Sequence, residues 1–479
     1  MSNDIAFLSA GELLDAYKKR SLSPVEVTKT LLERIERLNP ALNAYLAVDH
    51  EGALRAAQDA ERTWASGSDV PLLCGVPVSI KDLIYTSWLP TTHGSLVFKD
   101  YRTDYNSPVV DRLLAAGAVV LGKTNTPEFG LIGETRNLLR DECVNPWDFA
   151  HTAGGSSGGA GAQVAAGLGP LAIGTDGAGS IRIPSYYNGI YGLKPTYGRI
   201  AHDGWKGAPY VSHQGPMTRT VRDAALIMQA TSGPDDRDDL CLRETPPDFL
   251  AALDAQRDWK GTKVGYSLDY GYIEVDPEIR QAVMDAAELL RGFGCELIET
   301  EPPRREAAPG AGDFLVAEEV AYGESILPGF MEHLEELTDY GRAAIEVGLA
   351  TPAWQYVQGV RRREHWAAAT RRWFEPFDFF LSPVMGVTAP RCDKPLGLGA
   401  PGKVWPGSFL PIFNAAGNPA ASVPFGFHSN GLPLAIQIAG RGTNDAGVLE
   451  LSAAVESARP WKQHWPPIAE REPASIARE

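Results

Sequence analysis

Residues 154–184 read GGSSGGAGAQVAAGLGPLAIGTDGAGSIRIP. Two glycine-rich serine clusters, Gly154–Gly159 and Gly174–Pro184, bracket a run of small residues, with Ser156 and Ser180 24 positions apart. Gly158 to Gly167 is almost wholly Gly and Ala, which predicts a closely packed helix, and Pro170 to Gly174 predicts a short buried strand. About ten helical residues rise roughly 15 Å and about five strand residues return roughly 16 Å, so the chain comes back to its starting level. Ser156, at a helix N-terminus, and Ser180, on a glycine loop, are therefore predicted to meet at one end of a sheet. Glycine lets backbone N–H groups point inward, where they suit a developing oxyanion, and a serine hydroxyl serves as nucleophile or proton relay.

Working outward, helical and extended patterns alternate. Ser9 with Glu12 forms a capping box, Ser23-Pro24-Val25-Glu26 repeats the start signal, and Val27, Leu31, Ile35 and Leu38 recur at helical spacing. Cys74 to Ile80 predicts a strand that delivers Lys81 and Asp82 at its end. Ser107-Pro108 opens a helix through Leu114, and Ala118 to Leu121 reads as a buried strand followed by a loop, Gly122 to Asn125. Asp276-Pro277 caps a helix bearing Ile279, Val283, Ala287 and Leu290 before a strand at Cys295–Ile298, and the stretch from Trp354 to Phe380 mixes aromatics and arginines on a further helix. This alternation predicts α/β layers in one domain, with insert boundaries at 233–239 and 301–312.

The composition, 44% hydrophobic and 22% charged over 479 residues, is that of an ordinary globular protein. A net charge of -16 opposes direct binding to nucleic acid, which relies on Lys and Arg neutralising phosphates. Met1-Ser2-Asn3-Asp4 has no basic or apolar leader character, and no apolar run approaches the roughly 18 residues of a membrane span. A cytoplasmic protein without membrane contact is expected. Five widely spread cysteines without a C-x-x-C pair suggest neither a disulfide framework nor a zinc site.

Three other readings of the serine clusters compete. A flexible linker is not normally flanked by buried elements. A phosphate cradle of the P-loop kind needs a lysine that neither cluster carries. Gly154-Gly155-Ser156-Ser157-Gly158 matches the G-x-S-x-G form of a nucleophile elbow, but Asn145 to Thr152 before it is polar and proline-bearing where a strand is required. Neither cluster holds a histidine, so a proton acceptor must come from elsewhere. Lys81 follows a buried strand, and burial favours a neutral, proton-accepting amine. Lys123 has similar local credentials, and an ion pair with Asp82 is the structural alternative for Lys81. His93, His151, His202 and His213 read as loop histidines with a polar surface role.

The blocks Val78-Ser79-Ile80-Lys81-Asp82, Gly122-Lys123-Thr124-Asn125-Thr126-Pro127-Glu128, Asn145-Pro146-Trp147-Asp148, Gly154 to Gly159, Gly174 to Pro184 and Gly192-Leu193-Lys194-Pro195-Thr196-Tyr197-Gly198-Arg199 resemble the amidase signature family in order and spacing. The similarity runs on to Ala420-Ala421-Ser422-Val423-Pro424 and Leu432 to Gln437. The resemblance implies an α/β fold in one large domain, with a central twisted mixed sheet covered by helices on both faces. It divides the chain into N-terminal helices (1–70), a catalytic core (71–230), a variable substrate-side region (231–400) and the C-terminal part of the core (401–479). It further implies a Ser-cisSer-Lys triad with Ser180 as nucleophile, Ser156 as bridging serine after a cis peptide, and Lys81 as general base. Oxyanion donors would be the N–H groups of Gly177, Ala178, Gly179 and Ser180, with Asp176 and Arg182 supporting the loop. The implied activity is hydrolysis of a small-molecule carboxylic amide through an acyl-enzyme, with no metal and no organic cofactor, and a homodimer is the assembly to test.

Two positions depart from the family's common form: Ala178 stands where a glycine is usual, and Ala153 where a proline often precedes the first Gly-Gly pair. Ala178 adds a methyl beside the oxyanion site and requires a backbone free of glycine-only angles. The amidase component of a tRNA-dependent glutamine amidotransferase is the alternative function. Trp405 to Pro411 offers no acidic residue for a glutamine α-amino group, which disfavours it. A non-catalytic anion-binding protein is the alternative outside enzymes. The aromatics from Trp354 to Phe380, with Trp205, Tyr210 and Trp405, suggest an apolar or aryl substrate.

Overall fold

Eleven strands join in a single mixed sheet: β1 (Tyr45–Val48), β2 (Pro77–Lys81), β3 (Val119–Thr124), β4 (Leu171–Asp176), β5 (Tyr191–Lys194), β6 (His213–Thr218), β7 (Lys263–Tyr266), β8 (Glu296–Glu299), β9 (Phe379–Pro383), β10 (Ala420–Phe427) and β11 (Pro433–Gly440). Their spatial order is β1-β3-β2-β4-β6-β5-β10-β11-β9-β7-β8. Strand β2 runs parallel to β3 and β4, and β7 parallel to β8 and β9; the remaining pairs are antiparallel. The computed structural model describes residues 5–67, 69–203, 211–255, 257–304, 323–324, 327, 329–394 and 409–469.

The apolar runs of β2, β3 and β4 are buried along their whole length, as strands covered on both faces must be. Side-chain alternation assigns the faces. Val78, Ile80, Val120, Leu171 and Ile173 join one core with the helices at Val221–Thr231 and Pro277–Gly292. Val119 and Leu121 point the other way, into a second core with Leu31, Ile35 and Leu38 of the helix Pro24–Leu42. The chain is one large α/β domain.

Local signals account for the element starts. Ser9 and Glu12 make the reciprocal capping box that opens Ala10–Lys18, Ser23 caps Pro24–Leu42, and Asp276 caps Pro277–Gly292. Strand β2 starts at Pro77 rather than Cys74, β4 runs on to Asp176, and two further segments change element type. Gly122 to Thr124 is not a loop: β3 continues through it because β1 pairs with Gly122, Lys123 and Thr124 on one side and β2 on the other. The helix at 354–380 ends at Phe374, and Phe379 and Phe380 belong to β9, where pairing with β11 and β7 overrides the aromatic pattern. Residues 305–312 of one predicted boundary, and Trp205, Tyr210 and Trp405, lie outside the described residues. No helix among the described residues is long and apolar enough to cross a membrane.

Candidate active site

Strand β2 ends on Lys81, β4 ends on Asp176, and the helix Gly158–Ala165 starts just after Ser156. These three ends meet. Lys81 Nζ lies 2.6 Å from Ser156 Oγ and 2.8 Å from Thr175 Oγ1, and all three residues are buried. The Gly155–Ser156 peptide is cis. Ser157 N–H donates to the Ser180 carbonyl at 3.2 Å, which lays the two serine clusters side by side. Ser157 also stitches its own cluster to β4, its Oγ donating to the Thr175 carbonyl at 3.1 Å and accepting from the Thr175 N–H at 3.2 Å.

Lys81 has no carboxylate at ion-pair distance among the described residues. Burial strips water from its ammonium form and pulls its pKa well below the usual lysine range, with the more distant Asp176 opposing only in part. The ion-pair alternative goes instead to Lys123, whose Nζ sits 3.2 Å from Asp82 Oδ1 and 2.6 Å from Thr91 Oγ1.

Ser180 stands on the turn between β4 and the helix Arg182–Asn188. Asp176 organises this turn, its carboxylate accepting from Gly179 N–H (2.7 Å), Ile181 N–H (3.2 Å), Arg182 Nε and Nη2 (both 3.0 Å) and Asn414 Nδ2 (2.8 Å). Burial alone would raise this carboxyl, but the Arg182 guanidinium and the donors around it overcome that and hold the pKa far below the normal range. Arg182, fully buried, also donates to Gln437 Oε1 at 2.8 Å and Asn414 Oδ1 at 2.5 Å. A buried carboxylate with five donors and a paired guanidinium makes a rigid base for the loop.

Of the four loop residues read as oxyanion donors, Gly179 has its N–H taken by Asp176. Gly177, Ala178 and Ser180 are left as the candidate donors. Gly179 has φ +127°, and a Cβ there would come within 2.4 Å of Leu410 Cδ1, so glycine is required. Ala178 is not in the left-handed region, and its methyl is carried without backbone strain.

Sequence reasoning missed Thr175, Asn414, Gln437 and His213. His213 is no surface loop residue: it opens β6, is buried, and its Nδ1 lies 2.7 Å from the Val211 carbonyl and 3.1 Å from that of Asp176. Two acceptors at Nδ1 require the proton there, and burial, helped by Lys194, keeps the ring neutral. His93 and His202 are buried as well. The block Gly192–Arg199 serves the frame: Thr196 N–H (2.7 Å) and Arg199 Nε (2.9 Å) bind Asp445 at the start of helix Asp445–Ala458.

The model of the family described as Amidase matches residues 26–449. An acylamidase from Rhodococcus erythropolis is 36% identical over 97% of this chain and 98% of its own length. A glutamyl-tRNA(Gln) amidotransferase component from Gloeobacter violaceus is 33% identical over 96% of this chain and 98% of its own. Among solved structures, a bacterial aryl acylamidase of the amidase signature family superposes with a TM-score of 0.89 at 31% identity, covering 97% of this chain and 99% of that one. The chain belongs to the amidase signature family and is an amide hydrolase acting on carbon–nitrogen bonds.

Proposed function

We propose that Lys81, Ser156 and Ser180 form the catalytic triad and that the substrate is an apolar or aryl carboxylic amide. Neutral Lys81 accepts the proton of Ser156 as Ser156 takes that of Ser180, and Ser180 Oγ attacks the amide carbonyl carbon. The N–H groups of Gly177, Ala178 and Ser180 receive the negative charge on the former carbonyl oxygen. The proton then returns through Ser156 to the leaving nitrogen, the C–N bond breaks, and water hydrolyses the acyl-enzyme. No step calls for a metal or organic cofactor.

The observation that carries this reading is the buried lysine amine 2.6 Å from the Ser156 hydroxyl, with no carboxylate at ion-pair distance among the described residues. The substrate class rests on the acylamidase and aryl acylamidase likenesses. In this reading residues 71–230 supply the chemistry, 231–400 face the substrate, and the protein works in the cytoplasm, a setting that suits its five free cysteines.

A fluorophosphonate is expected to leave a covalent mass increase on Ser180. Labelling lost in Ser156→Ala but kept in Ser180→Ala would instead make Ser156 the nucleophile. A panel of aliphatic amides, aryl amides and anilides, assayed for released amine, resolves the substrate class. The likeness to glutamyl-tRNA(Gln) amidotransferase components supports a second reading, glutamine hydrolysis for a partner. Glutaminase activity that requires a co-purifying protein would establish it.

A further inference from the structure

Glu128, fully buried, lies in the turn Glu128–Gly130 that follows β3. Its Oε2 accepts from the Thr338 N–H (2.8 Å) and hydroxyl (2.5 Å), and its N–H donates to the Tyr340 hydroxyl at 2.7 Å. That hydroxyl donates onward to the Arg136 carbonyl at 2.6 Å, while the Arg136 guanidinium lies 4.7 Å over the Tyr340 ring and 3.1 Å from Asp339. Thr338 is the N-cap of the helix Asp339–Ala350, so the Glu128 carboxyl stands at a helix start, and burial raises its pKa against the hydrogen bonds from Thr338. A Cβ at Gly341 would come within 2.2 Å of Glu128 Oε2, which shows how closely this helix is seated.

The same 128–136 segment touches the Ser156 loop on its other side. A Cβ at Gly130 would lie 3.2 Å from Ser156 Oγ, and one at Gly155 would lie 2.7 Å from Glu134 N. Thr135 Oγ1 donates to the Gly154 carbonyl at 2.8 Å and accepts from Gly158 N–H at 3.2 Å. Between the two sets of contacts Phe129 holds φ +55°, a conformation that a phenylalanine keeps only when its surroundings impose it.

We propose that Glu128 and Tyr340 are positioning residues that seat the helix Asp339–Ala350 and, through residues 128–136, hold Ser156 in line between Lys81 and Ser180. The relay it serves rests on the triad reading above. One fastening then governs both a helix of the 231–400 region and the alignment of the proton path.

Backbone hydrogen exchange tests the fastening, with amide turnover measured beside it. Tyr340→Phe removes two hydrogen bonds and keeps the ring. Exchange in the peptide 154–161 is expected to rise about tenfold, with 433–440 unchanged. For a small aliphatic amide kcat is expected to fall about tenfold with KM unchanged. Glu128→Gln keeps an acceptor for Thr338 and is expected to stay near wild type, whereas Glu128→Ala is not; should Glu128→Ala fail to fold, Tyr340→Phe decides alone. Unchanged exchange at 154–161 in Tyr340→Phe, with or without loosening of 336–350, overturns the proposal. A wild-type protein that hydrolyses no amide and takes no label on Ser180 defeats the triad reading instead, and the exchange result still decides the fastening.

Discussion

Lys81 and Lys123 stand on adjacent parallel strands, with Ile80 in register with Lys123 and Lys81 with Thr124, and both are wholly buried. Their surroundings separate them. Lys123 has Asp82 at 3.2 Å, a carboxylate that opposes the loss of its proton. Among the described residues Lys81 has two hydroxyls and only a distant carboxylate, so the same burial drives its pKa much further down. Burial makes a lysine uncomfortable in its charged form; the partner decides whether it becomes a strut or a base.

The comparison breaks most sharply in activity. Lys81→Ala is expected to lower kcat for a responsive amide by about 10³-fold or more while the protein stays folded, read by steady-state kinetics with circular dichroism beside them. Lys123→Met is expected to act chiefly on stability, costing about 3–5 kcal/mol in denaturant unfolding because Asp82 is left buried and unpaired. Replacing Asp82 by Leu in the same chain is expected to recover much of that loss; no recovery would mean that Lys123 does more than balance one carboxylate. A smaller effect lies in pH. Lys81 must be neutral to accept a proton, so kcat is expected to rise through an acid limb centred below the roughly 10.4 of a free lysine. The stability contribution has the matching sign. The unfolded lysine binds a proton more readily than the folded one, so stability from this group is full above about 10.4 and falls as pH drops through the folded value. Lys81→Met removes that slope, and Lys123→Met does not remove the kinetic limb. Smallest of all, Thr175→Val takes one hydroxyl from Lys81 and is expected to cost about tenfold in kcat.

Much of this site was legible in the chain because it is built from local spacing. The helix Gly158–Ala165 and strand β4 cover the path out and back between the serine clusters, and β2 ends on Lys81, so short-range patterns carried those positions. What was not legible depends on distant partners. Lys81 and Lys123 look alike locally, and only their neighbours in space distinguish them. Asn414 reaches Asp176 from 238 positions away and Gln437 reaches Arg182 from 255, distances over which no periodicity carries information. His213 looked like loop surface because a strand holding Gly215 and Pro216 has little β propensity of its own; pairing with β4 and β5 makes it one. Gly179 has the composition of an oxyanion donor, and the hydrogen bond from its N–H to Asp176 emerges only from the turn geometry.

The place of the last two strands in the sheet has a consequence for how the protein is born. Strands β10 and β11 lie between β5 and β9, and they connect the six strands made early in synthesis with β7, β8 and β9. Lys81, Ser156 and Ser180 leave the ribosome long before residues 420–440, yet Asn414 and Gln437, which brace Arg182, come with that final segment. At about 5–20 residues added per second, the nascent chain spends roughly ten seconds or more with Ser156 and Ser180 made and their scaffold open-edged. Insertion of the closing hairpin covers those edges and brings in the Gln437 that braces Arg182 beneath the Ser180 loop, so one late event both seals the sheet and frames that loop.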